Sequence, residues 1–146
     1  SLALTTLFNI AGEKPSFFAT EPDPAGSLLP PHKVTPVFFE QITRGQEDFS
    51  GNVFTAPVSG LYSLSSTLYL DHQSTGQQHT YEITLLTSNK TYQAQLKFEP
   101  NELAVLDISA VADMDAGDTA LLMVEPTSAG QARLKPESYF AGWLAA

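Results

Sequence analysis

The sequence predicts an all-β domain, a sandwich or barrel of short antiparallel strands. Three observations carry this. Apolar residues alternate with polar ones at a period of two, as at Tyr62, Leu64, Leu68 and Leu70 against Ser63, Ser65 and Thr67, the pattern of a half-buried strand. Polar turn segments separate such stretches at short intervals. Six of the ten prolines fall between Pro15 and Pro36, where each removes a backbone donor and crowds the preceding turn. Past residue 14 no segment reads as a helix of ordinary length.

Taken in order, residues 1–14 place Leu4, Leu7, Phe8 and Ala11 at helical spacing before Gly12. They read as a short helix, a stalk remnant or an arm that docks on a partner. The head is expected over residues 15–146. A strand is predicted around Ser16–Thr20, followed by a long extended loop to Pro36. Val37–Thr43 is rich in β-branched and aromatic residues and reads as one strand. Thr55-Ala56-Pro57-Val58-Ser59-Gly60 is a turn leading into the Tyr62–Leu70 strand. Thr80–Thr87 and Tyr92–Phe98 form a hairpin closed by Ser88-Asn89-Lys90-Thr91. Two further strands, Leu103–Val111 and Thr119–Glu125, flank the segment from Asp113 to Asp118. Tyr139–Leu144 is the closing strand.

Composition narrows the function. At 146 residues and 42% hydrophobic content, the chain suits one domain able to bury its own core. Sixteen acidic residues against seven basic ones give a formal net charge of -9. A phosphate backbone would be repelled, so nucleic acid is not an expected partner. No apolar run is long enough for a membrane helix, and the opening residues do not have the form of a signal peptide. With no cysteine there is no disulfide, thiolate metal site or cysteine nucleophile.

Four motifs in order resemble the globular head of the complement component one-q family. The first is Gly51-Asn52-Val53-Phe54-Thr55-Ala56-Pro57-Val58-Ser59-Gly60-Leu61-Tyr62-Ser63-Leu64, similar to the family's Gly, Phe-Thr-x-Pro and Gly-x-Tyr-x-Phe signature. Val34–Arg44 stands where the family has the preceding strand, and Ala116-Gly117-Asp118 resembles its late Gly-Asp turn. Tyr139-Phe140-Ala141-Gly142-Trp143-Leu144 resembles its closing Phe-Ser-Gly-Phe-Leu. Leu64, Ala141 and Trp143 depart from the usual Phe, Ser and Phe, and no collagen repeat stands in residues 1–14. The resemblance, from about Phe17 onward, implies a two-sheet antiparallel jelly roll of about ten strands, related to the tumour-necrosis-factor-like heads. It also implies a three-fold homotrimer, whose role is recognition rather than catalysis.

Tyr62, Phe140, Gly142 and Trp143 are the candidate core and trimer-packing residues. Phe140 and Gly142 share one strand parity; Tyr139, Ala141 and Trp143 share the other. Asp71, His72 and His79 flank a polar loop that could serve as a ligand surface. Their spacing matches no zinc motif. Asp113, Asp115 and Asp118 could offer oxygens to calcium, although turn chemistry alone explains the Gly117-Asp118 pair. From Glu99 to Glu125 seven carboxylates occur without a Lys or Arg, which marks a negative face. Asn89-Lys90-Thr91 has the form of an N-glycosylation acceptor. No nucleophile elbow or phosphate loop is present, and His32, His72 and His79 fall in expected loops without a serine partner.

Two functions follow. One is a non-catalytic recognition or adhesion head binding protein or glycan, extracellular or on a cell surface. The other is a structural subunit of a virus or phage particle, a decoration or fibre head that contacts capsid proteins through residues 1–14.

Overall fold

A computed structural model describes residues 14–72 and 76–146. The helix, stalk or arm expected over residues 1–14 thus lies almost wholly outside the described residues. Ten strands of three or more residues are present among the described residues: β1 (Ser16–Pro22), β4 (Phe39–Arg44), β6 (Val53–Thr55), β7 (Gly60–His72), β8 (His79–Thr87), β9 (Thr91–Phe98), β10 (Ala104–Met114), β11 (Thr119–Pro126), β12 (Ala132–Leu134) and β13 (Tyr139–Leu144). Three two-residue strands fill gaps at the edges: β2 (Leu28–Leu29), β3 (Thr35–Pro36) and β5 (Phe49–Ser50).

All pairings are antiparallel and form two sheets, a jelly-roll sandwich. In the first, the 13-residue β7 is the spine. One of its edges pairs with β10 along nearly its whole length, Gly60–Leu70 against Ala104–Met114. Its other edge is shared: β13 takes Tyr62–Thr67 and β12 takes Leu70–His72. Beyond β13 lie β1 and β4; beyond β12 lies β2. The second sheet runs β5-β6-β11-β8-β9, with β3 against β11.

The core lies between the sheets. On β7 the side chains of Tyr62, Leu64, Leu68 and Leu70 point inward, as their parity dictates. They meet Tyr81, Ile83 and Leu85 of β8 and Leu122 and Val124 of β11. At one end the core is aromatic. Phe17 stacks on Phe54 with ring centroids 4.3 Å apart and meets Phe140 edge-on at 4.9 Å. Phe54 meets Tyr62 at 5.5 Å, and the buried Tyr62 hydroxyl donates to the Val58 carbonyl at 2.7 Å. Such tilted and offset ring pairs add to the area they bury.

Three sequence expectations are corrected. The segment after β1 is not a purely extended loop, for Pro24–Gly26 form a single 3-10 turn. Pro24 opens it, a position that needs no N–H and suits the fixed φ of proline, and the Asp23 carboxylate accepts from the Ala25 N–H at 3.0 Å. Val37–Thr43 is not one strand. The chain changes sheets at Val37 and Phe38: β3 pairs with β11 in the second sheet, and β4 pairs with β1 in the first. Lastly, β10 continues past Val111 to Met114, which puts Asp113 inside a strand.

Candidate functional site

The outer face of the first sheet is built from the odd parity of β7, β10 and β13 and the even parity of β1. Cross-strand register defines its rows. Val111, Ser63, Trp143 and Ser16 form one; Ser109, Ser65, Ala141 and Phe18 the next; Asp107, Thr67, Tyr139 and Thr20 the third. Large apolar side chains on this face stay open to water. Trp143 is 50% exposed, Val111 62% and Phe18 39%. Phe18 and Tyr139 lie ring on ring at 5.6 Å and 7°. With Trp143, Ala141 and Arg44 they line a shallow groove of about 480 Å³. Beside it the Thr67 hydroxyl lies 2.7 Å from the Asp107 carboxylate and 3.1 Å from the Tyr139 hydroxyl. It donates to Asp107 and is left to accept from Tyr139, so each of the three has a partner.

The sequence singled out Tyr62, Phe140, Gly142 and Trp143. Tyr62 and Phe140 are fully buried, and Gly142 is buried against Phe17 and Leu64. Trp143, on the opposite parity, is not in the sandwich core. Tyr139 shares the parity of Trp143, as the sequence indicates, whereas Phe18 and Val111 were missed as surface residues. The signal was present: each is a bulky apolar residue on the parity where serine, threonine and aspartate otherwise stand.

A second area lies where β7 ends and β8 begins. His72 and His79 are not loop residues but the last of β7 and the first of β8. Residues 73–75 between them lie outside the described residues. Their rings stack at 3.9 Å and 18°, and His72 Nδ1 is 3.2 Å from the Tyr81 hydroxyl. Burial pushes the Tyr81 phenol up to about 12 by disfavouring its charged form. His79 is held below the usual 6.5, by burial first and by His72 second. Asp71 is exposed at the rim. Grooves of about 330 and 280 Å³ open on either side of Asp71 and His72, one toward Gln131 and Arg133, the other toward Asn101 and Glu102.

Among the described residues no three His, Asp or Glu side chains come together as ligands. Asp113, Asp115 and Asp118 are not gathered into one ligand group in this structure. Asp113 sits on β10, and the Asp118 carboxylate is already taken, accepting from the Asp115 N–H at 2.8 Å and the Asn89 amide at 3.0 Å. Asn89 also donates to the Asp113 carbonyl at 3.1 Å, so the nitrogen that a glycan would occupy is tied to the β10–β11 turn. His32 is exposed with φ 60°, and no serine stands within hydrogen-bond reach of any of the three histidines among the described residues.

Comparison with solved structures settles the fold. The globular domain of zebrafish complement 1qA protein aligns with a TM-score of 0.62 over 92% of this chain and 98% of that one, at 19% identity. Murine APRIL, of the tumour-necrosis-factor family, aligns at 0.59 over 88% and 97%, at 14% identity. The chain has a complement one-q and tumour-necrosis-factor-like fold. No protein-family model matches the sequence, and no curated protein does. The jelly roll is thus shared in shape at low sequence identity. Among the described residues no helix is long and apolar enough to cross a membrane.

Proposed function

We propose that the chain is a non-catalytic recognition head that works as a homotrimer. The outer face of the first sheet turns toward neighbouring copies, and the loop end at Asp71 and His72 is left for a protein or glycan ligand. The observation that carries this reading is the face itself. Trp143, Val111, Phe18 and Tyr139 are set in register on one sheet surface, with Trp143 and Val111 at least half exposed in the single chain. A sheet face of this kind is buried most economically on identical neighbours in a closed ring. Resemblance to the complement heads supports three-fold closure. The grooves beside Asp71 and His72 are open and shallow, the one toward Arg133 mainly polar and the one toward Leu103 more apolar, which suits contact recognition rather than enclosure of a reacting substrate. The reading places the protein outside the cell, on a cell surface or on a particle.

Val111→Glu tests the assembly face. Val111 is mostly exposed, so the single chain should keep its circular dichroism spectrum. A charge buried at an interface without a partner is strongly unfavourable, so sedimentation velocity should show the variant as monomer where the wild type is trimer. Unchanged trimers in the variant would remove this face from the assembly.

A further inference from the structure

At the β7–β8 end, two imidazoles are packed where one of them has no route to water. His79 is 2% exposed, and its Nε2 has no hydrogen-bond partner among the described residues. Its face is covered by His72 at 3.9 Å. His79 is opposite Phe98 of β9 in register, and its β8 neighbour Tyr81 packs on the same phenylalanine at 6.1 Å. Thr80, between them, is fastened to the segment after β11: its N–H donates to the Ser128 hydroxyl at 3.0 Å, and its hydroxyl lies 2.6 Å from that of Thr127.

We propose that the stacked His72–His79 pair is a pH-responsive latch: uptake of a proton by His79 unpacks the ends of β7 and β8. Whichever nitrogen carries hydrogen in the neutral ring, the cation has N–H at both. At Nε2 that N–H would meet no acceptor among the described residues, and burying an unpaired charge is strongly unfavourable. The proton can be held only once the end opens. His72 adds to this, since a second cation face to face with the first would repel it.

The charged groups around the pair come from each neighbouring element. β7 supplies Asp71, opposite Arg133 of β12. β9 supplies Lys97, opposite Thr80. The segment after β9 supplies Glu99, which accepts from Gln78 at 2.9 Å, and Glu102, which accepts from the Glu99 N–H at 2.9 Å. None is within ion-pair distance of either histidine, for the sole ion pair among the described residues joins Lys135 to Glu137 at 3.7 Å. No carboxylate therefore stands ready to stabilise the cation.

The sign follows from linkage. His79 binds its proton more weakly folded than unfolded, so the unfolded or opened state holds more protons as the pH falls. The stability that neutral His79 contributes is complete above 6.5. It is lost as the pH drops from 6.5 through the lower folded value.

Two measurements on the whole chain test the latch. In NMR spectra, the His79 Cε1–H signal should titrate with a midpoint below 6.5; a midpoint at or above 6.5 overturns the proposal. Amide hydrogen exchange, corrected for intrinsic rates, should show several-fold greater loss of protection at His72, Thr80 and Tyr81 than in β13 between about pH 7.5 and about pH 5.5, the range histidine spans. Equal loss at both places overturns it. His79→Phe keeps a flat ring in the stack and should abolish the extra loss, and a pH response that persists in this variant counts against the latch. Should that variant not fold, the wild-type titration alone decides.

Discussion

Gly142→Ala is the substitution whose effect the packing defines most sharply. Gly142 lies on the buried parity of β13, opposite Phe17 of β1 and Leu64 of β7. An added Cβ would lie 2.5 Å from Phe17 Cε1 and 2.7 Å from Leu64 Cδ2, well inside the usual 3.5–4.0 Å carbon contact. Phe17 cannot easily yield. Its ring is stacked on Phe54 at 4.3 Å and on Phe49 at 5.3 Å, and Phe140 stands edge-on at 4.9 Å. Leu64 is wholly buried. Forcing a methyl into such a core costs about 1–3 kcal/mol, and a ring held on three sides argues for the upper end. At about 3 °C per kcal/mol for a domain of this size, about 3 kcal/mol lowers Tm by about 9 °C. Gly26→Ala is the control: nothing lies within 4 Å of its Cβ position, and its melt should stay within about 2 °C of wild type. Thermal melts at one fixed protein concentration keep assembly from confounding the comparison. Phe17→Leu should cost less in the Gly142→Ala background than alone, because the smaller side chain relieves the clash. A Gly142→Ala melt indistinguishable from Gly26→Ala would falsify the packing argument.

Two further predictions concern the surface. Trp143→Ala should weaken assembly far more than folding; measured at a concentration where the protein is monomeric, the loss should be well below the roughly 3–5 kcal/mol of truncating a fully buried aromatic, and a full-sized loss there would mean that the indole is part of the single-chain core. Asp118→Ala should lower stability by about 1–2 kcal/mol, through the lost bonds to the Asp115 N–H and Asn89, and millimolar calcium should raise the wild-type Tm no more than sodium chloride of equal ionic strength. A specific calcium effect that Asp118→Ala removes would restore the calcium loop.

Much of the fold was legible because it rests on local signals. The parity of Tyr62, Leu64, Leu68 and Leu70, the Ser88–Thr91 turn and the closing strand each reflect short-range chemistry. Parity alone split the closing strand into Phe140 and Gly142 on one face and Tyr139, Ala141 and Trp143 on the other, without saying which face is inward. What parity could not say was what lies outside Trp143, since an interface and a core leave the same mark in sequence. The sheet change at Val37 and Phe38 was invisible because both neighbours are apolar, and only long-range pairing with β11 and β1 separates them. The histidines were misread for a similar reason. The polar residues between them suggested solvent, while the burial of His79 comes from Phe98 and from the neighbouring ring, which are tertiary contacts. The acidic triplet is spread apart because β10 runs longer than its apolar pattern, and because Asp118 turns back on its own turn.

The account rests most heavily on the exposed face of the first sheet being an interface between copies of this chain. Sedimentation equilibrium of the wild type at micromolar concentration tests it most directly. The expected mass is three times that of the 15.8 kDa chain, with Val111→Glu reduced to one chain. A wild type that sediments as a single chain would contradict it.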